Sequence, residues 1–63
     1  MDAPIPRVAY KVPEAALALA LSEATTWKLV RSGELRSYTV GTARFVPATA
    51  LQEFVDARLA DAS

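Results

Sequence analysis

The sequence predicts a small, mainly α domain that carries one β-hairpin, in the order helix, tight turn, helix, hairpin, helix. Three observations point there. Apolar residues recur at helical spacing up to Leu19 and again from Leu51, and a stretch rich in Tyr, Thr, Val and Phe, broken at Gly41, lies between them. The chain has 63 residues, 52% of them hydrophobic, which is enough for one short core and too few for a second domain. Its mean hydropathy of +0.18 is too high for a disordered segment.

Residues 1–9 contain Pro4 and Pro6, which lack amide donors and hold the preceding residues extended, so a flexible N-terminal arm is expected there. A first helix follows over about Pro13 to Leu19. Proline fits a first helical turn, Glu14 suits the positive end of the helix dipole, and Ala15, Ala16 and Leu19 fall at helical spacing. Ala20-Leu21-Ser22 is a short connection, and Ser22 is an N-cap residue able to accept a hydrogen bond from the orphan amides of the next helix.

Steps of about 100° per residue from Glu23 set Thr26, Trp27, Leu29 and Val30 on one arc and Thr25, Lys28, Arg31 and Ser32 on the opposite one. One face packs and the other is polar and basic. Gly33 supplies the left-handed residue that ends a helix, with Leu35 folding back as the accompanying apolar contact, so the second helix runs from Glu23 to Ser32. From Arg36 to Val46 the composition is that of a hairpin, with Tyr38 and Val40 on one strand face and the tip at about Gly41 to Ala43.

Pro47 cannot continue a ladder. After it Leu51, Phe54, Val55 and Leu59 recur at i, i+3, i+4 and i+8, the stripe of a third helix that turns Gln52, Glu53 and Asp56 away from the core. The expected core is Leu19, Leu21, Val30, Leu35, Tyr38, Val40, Phe45, Leu51, Phe54 and Val55. The folded domain is expected over residues 10–60, with 61–63 as a C-terminal tail, and there is no internal repeat or low-complexity segment.

Composition narrows the chemistry. With neither cysteine nor histidine the chain builds no disulfide, no zinc site of the usual ligand types, no thiol nucleophile and no imidazole acid/base pair. The carboxylates Glu14, Glu23, Glu34, Glu53, Asp56 and Asp61 lack the spacing of a metal site or an acid/base pair, so neither catalysis nor a cofactor is expected. The longest apolar run, Ala15 to Leu21, falls well short of the roughly 20 residues of a membrane span. Glu14 and Pro13 interrupt any signal-peptide pattern, so a cytoplasmic protein with no membrane partner is expected.

Seven Lys and Arg balance seven Asp and Glu, for a formal net charge of +0, yet the charges are segregated. Residues 7–46 hold six basic residues (Arg7, Lys11, Lys28, Arg31, Arg36, Arg44) against three acidic ones, while residues 1–6 contribute −1 and residues 47–63 contribute −2. A modestly basic region is thus backed by an acidic C-terminal helix.

Two short helices joined by a tight turn, the second with a polar and basic face, are the ingredients of a helix-turn-helix. Specific residues sharpen this. Tyr10-Lys11-Val12-Pro13-Glu14-Ala15-Ala16, then Ser22, Thr25 and Trp27-Lys28-Leu29-Val30-Arg31-Ser32-Gly33-Glu34-Leu35, then Val40-Gly41 and Arg44-Phe45-Val46-Pro47, then Ala50-Leu51-Gln52-Glu53-Phe54-Val55 follow in order. From Tyr10 to Val55 this resembles the excisionase-type, MerR-like winged helix-turn-helix family.

The resemblance implies a two-stranded wing beside the helix-turn-helix and a C-terminal helix. It also implies that the second helix enters the major groove while the wing reaches the adjacent backbone or minor groove. The polar faces agree with it. Ser22 and the first amides of the second helix suit a phosphate. Thr25 and Lys28 suit base edges, a thymine methyl and guanine acceptors respectively. Arg31 and Arg44 suit the backbone or minor groove, and Arg36 and Thr42 complete the expected DNA-binding set on the wing. Trp27 has two readings, an indole N–H donated to phosphate or half-burial on the core. Departures from the family pattern are Ala20 where glycine is usual in the turn, Glu23 where a carboxylate repels phosphate, and a wing tip Gly41-Thr42-Ala43-Arg44 without an arginine cluster.

The function implied is that of an excisionase, or recombination directionality factor. Such a protein binds repeated sites in a phage or mobile-element attachment region, with double-stranded DNA, an integrase and further copies of itself as partners, and directs integrase-mediated recombination toward excision. A small transcriptional regulator of the same fold is the alternative. A second class of function, a protein–protein interaction module with little DNA affinity, is motivated by the zero net charge and Glu23.

Overall fold

A computed structural model describes residues 8–62. Six elements follow in order: β1 (Ala9–Lys11), α1 (Val12–Leu19), α2 (Glu23–Ser32), β2 (Tyr38–Val40), β3 (Ala43–Pro47) and α3 (Ala48–Ala62). The winged helix-turn-helix predicted from the sequence is present: α1 and α2 form the helical pair, β2 and β3 the wing, and α3 the C-terminal helix. The sheet is larger than the two strands expected. β1 joins it in the order β1-β3-β2, antiparallel, with Tyr10 opposite Val46 and Thr39 opposite Arg44.

The expected arm over 1–9 meets the structure only at its end, since residues 1–7 lie outside the described residues. Ala9 is already in β1, and the Val8 carbonyl accepts a hydrogen bond from the Ala48 amide at 2.8 Å. A three-residue strand has too little alternation to be recognised locally; its partner is far away in the chain. At the other end α3 continues through Asp61 and Ala62, so these two residues are helical rather than tail.

Each helix terminus has a local cause. At the start of α1 the Glu14 carboxylate accepts from the Lys11 amide at 3.1 Å, and Pro13 sits where no amide partner is needed. The helix ends at Ala20, which is left-handed (φ 59, ψ 36), with the Leu21 amide donating to the Ala16 carbonyl at 2.9 Å. The turn therefore keeps the geometry that glycine favours, with alanine in its place. Ser22 caps α2, its Oγ accepting from the Thr25 amide at 3.1 Å. Gly33 (φ 85) ends α2, the Leu35 amide reaches back to the Leu29 carbonyl at 3.1 Å, and Leu35 is buried as expected.

The core is Val12, Ala15, Leu29, Val30, Leu35, Val46 and Ala50, edged by Tyr10, Leu19, Leu21, Trp27, Leu51 and Phe54. Thr26 is fully buried within it, its hydroxyl donating to the Ser22 carbonyl at 2.9 Å. Four residues expected inside lie outside the core. Tyr38, Val40 and Val55 are 42%, 63% and 38% exposed, and Phe45 is half-buried away from it. For the three strand residues the reason is the period of two along a strand: Val46 and Tyr10 face the helices, so Phe45, Tyr38 and Val40 point to the other side of the sheet. On that outer face Tyr38 stacks on Phe45, with ring centroids 5.7 Å apart.

Two exposed ion pairs tie α3 to the segment that leaves α2. Arg36 forks onto Glu53, with Nε and one terminal nitrogen each 2.9 Å from a carboxylate oxygen, and Arg58 reaches Glu34 at 3.1 Å while lying over the Phe54 ring.

Candidate nucleic-acid interface

The packing of α2 decides which of its side chains face outward. Burial of Thr26, Leu29 and Val30 fixes the helix roll, and the opposite arc then carries Thr25, Lys28, Arg31 and Ser32, all exposed. Thr25 and Lys28 are both exposed on this arc. Arg31 leans along the helix, its guanidinium carbon 5.9 Å from the Trp27 ring centroid.

Trp27 is half-buried. It packs against the core and also forms one wall of an open groove of about 340 Å³ between the helical pair and the wing. Lys11, Val12 and Pro13 from the start of α1, and Thr39, Thr42, Ala43 and Arg44 from the wing, line the rest. Trp27 is thus both packed on the core and accessible from the groove.

The wing turn is the two-residue Gly41-Thr42, closed by Val40 opposite Ala43. Only Gly41 has positive φ (63), the pattern of a type II′ hairpin, which leaves Thr42 exposed at the tip. Arg44 sits on the same sheet face as Val46 but nearer the tip, so its side chain emerges beyond the core on the groove side. Its guanidinium donates to the Ser37 hydroxyl at 2.8 Å, which braces it.

Of the eight residues expected to meet DNA, Thr25, Lys28, Arg31, Trp27, Thr42 and Arg44 therefore come together on α2 and the adjoining groove. Ser22 stands at the N-terminus of α2, where its hydroxyl serves the cap and donates to Thr25 Oγ1 at 2.9 Å. Arg36 is placed differently. Its guanidinium is engaged by Glu53 of α3 rather than gathered with the others. Glu23 is exposed in the first turn of α2, in keeping with its favourable position on the helix dipole. Thr39 was not singled out from the sequence, although alternation with Tyr38 and Val40 already sets it on the opposite strand face.

Among the described residues no group of His, Cys, Asp and Glu is arranged to hold a metal ion, and no helix is long and apolar enough to cross a membrane.

Comparison with known proteins agrees with this geometry. The chain is 39% identical over 57 residues to a protein of Saccharopolyspora erythraea named "Probable excisionase", an alignment that covers 90% of this chain and 58% of that protein. It thus spans little more than half the length of this relative. No solved structure matches. The profile of the helix-turn-helix domain family matches residues 9–59, from the first strand into the last helix. By the fold and by this match, the chain belongs to the helix-turn-helix domain family.

Proposed function

We propose that this chain is a sequence-specific DNA-binding accessory factor of the excisionase kind. It binds repeated sites in an attachment region and biases an integrase toward excision. The observation that carries the DNA reading is that Trp27 joins the exposed face of α2 to a groove lined by the wing: Arg31 of that face lies over the Trp27 ring, and Thr42 and Arg44 line the groove that Trp27 borders. The 39% identity to a protein named as an excisionase supports the recombination role.

In this reading residues 10–60 are the binding unit and α2 lies in the major groove. Thr25 and Lys28 meet base edges there, and Ser22 with the first amides of α2 meets a phosphate. Arg31, Arg44, Thr42 and the Trp27 indole contact the flanking backbone or minor groove. Arg36 is left out of the contact set because Glu53 already occupies it. The protein acts in the cytoplasm of a bacterial or phage-infected cell, where such DNA resides.

Selection of bound duplexes from a random pool, followed by footprinting on the element's attachment region, tests the proposal. With three or four phosphates neutralised, the log–log slope of affinity against salt is about −3. Absence of any salt-sensitive complex overturns the DNA reading and favours a protein–protein module.

A further inference from the structure

Three arginines of this chain are held by side-chain hydrogen bonds, and the partner differs. Arg36 is forked by the Glu53 carboxylate and Arg58 is paired with Glu34, so both charges are largely cancelled. Arg44 instead donates to the Ser37 hydroxyl at 2.8 Å and, among the described residues, has no carboxylate within ion-pair distance. A hydroxyl orders the arginine and leaves its charge intact, whereas a carboxylate orders it and cancels the charge.

The strand register explains the contact. Thr39 stands opposite Arg44, and Ser37, which directly precedes β2, shares the parity of Thr39. Ser37 is therefore diagonal to Arg44 on one face of the wing, a separation that a long side chain spans. It lies on the side away from the Gly41-Thr42 turn, so the bond draws the guanidinium back from the wing tip. Arg44 accordingly borders two grooves. One is the groove that Trp27 and Thr42 line; the other, an open groove of about 440 Å³, includes Ser37 and reaches Val30 and Gly33 at the end of α2.

We propose that Ser37 is a positioning residue for DNA binding: its hydroxyl holds the Arg44 guanidinium at the base of the wing, where it is presented to a backbone phosphate beside the last turn of α2. This rests on the DNA-binding reading above and assigns Arg44 a phosphate rather than the minor groove, because a side chain held back from the tip does not project into a groove floor. Ser37 uses one N–H of the guanidinium, and the remaining donors of the fork are free for phosphate oxygens. The arginine is thus ordered before the duplex arrives, and binding is spared that cost.

The test is a double-substitution cycle, read by gel shift at several salt concentrations on the duplex selected from the random pool. Ser37→Ala is expected to weaken binding about 2- to 10-fold, the effect of having to order one long side chain on binding, with the salt slope unchanged because Arg44 keeps its charge. Arg44→Ala lowers the slope by about 1, and adding Ser37→Ala to it changes nothing further. Ser37→Thr retains the hydroxyl and the wild-type affinity. In duplexes with single methylphosphonate substitutions, one position weakens the wild type and leaves Arg44→Ala unaffected. Equal weakening by Ser37→Ala with and without Arg44 marks a merely structural role and overturns the proposal. Unchanged affinity of Ser37→Ala, a Thr variant as weak as the Ala variant, or the absence of such a phosphate overturns it as well. Wild-type binding that Arg44→Ala does not weaken overturns the proposal and leaves the DNA reading standing on α2. Failure of the wild-type chain to form any salt-sensitive complex overturns the DNA reading itself, and the role of Ser37 with it.

Discussion

Replacement of Ala20 by glycine stabilises this domain. Ala20 ends α1 at φ 59 and ψ 36, and it is the one described residue other than glycine with positive φ. An L-residue in that conformation costs about 1–2 kcal/mol because its Cβ crowds the neighbouring carbonyl. Glycine removes the crowding but gives the unfolded chain more freedom, which takes back about 0.4–1 kcal/mol. Ala20 is exposed, so its methyl group contributes little burial. The net gain is about 0.5–1 kcal/mol, a rise in Tm of roughly 2–8 °C for a domain of this size.

Gly33 provides the mirror experiment. It ends α2 at φ 85, and a Cβ added there meets nothing within 4 Å, so Gly33→Ala isolates the backbone penalty and loses about 1 kcal/mol. Thermal and urea melts followed by circular dichroism read both variants. If Gly33→Ala destabilises while Ala20→Gly is neutral or destabilising, the argument that the turn stores backbone strain at Ala20 is refuted.

Four further outcomes are expected. Lys28→Ala costs about 1–3 kcal/mol of DNA affinity and relaxes base preference in a repeat of the selection, while Arg44→Ala weakens all sequences alike and reduces the salt slope by about 1; retained affinity in both variants means that another face binds. Arg36→Ala leaves the salt slope unchanged and lowers stability by no more than about 1 kcal/mol, as for an exposed ion pair; a reduced slope would return Arg36 to the interface. Thr26→Val removes the buried hydroxyl's bond to the Ser22 carbonyl, which keeps the Thr26 amide as a donor at 3.0 Å, so a denaturant melt records a loss of about 0.5–1.5 kcal/mol. Leu35→Ala costs about 2–5 kcal/mol, and since a core of this size supplies about 3–5 kcal/mol, circular dichroism at 25 °C records a largely unfolded chain.

The helical pair was legible in the sequence because its signals are local. Ser22, the arc of Thr26, Leu29 and Val30, and the pair Gly33 and Leu35 each act within a turn or two of the chain, and the structure keeps all of them. Non-local features were not. β1 exists through Tyr10 meeting Val46 and through the Val8 to Ala48 hydrogen bond, neither of which any short window contains. The wing core was assigned to the wrong parity: Tyr38, Val40 and Phe45 are the more apolar set, but the single residue Val46 determines which face meets the helices. Arg36 has the same charge as Arg44 and lies on the same segment. Only the placement of Glu53 on α3 separates the two.

The first strand has a practical consequence for anyone attaching something to this molecule. Ala9 pairs with Pro47 at one end of the sheet, and the Gly41-Thr42 turn closes the other end. A fluorophore, affinity handle or fused domain joined ahead of Val8 therefore begins at the end of the sheet remote from the wing tip. Such an attachment leaves the wing tip clear, whereas a graft at Thr42 occupies the tip itself, the part of the wing that the proposed function turns toward DNA.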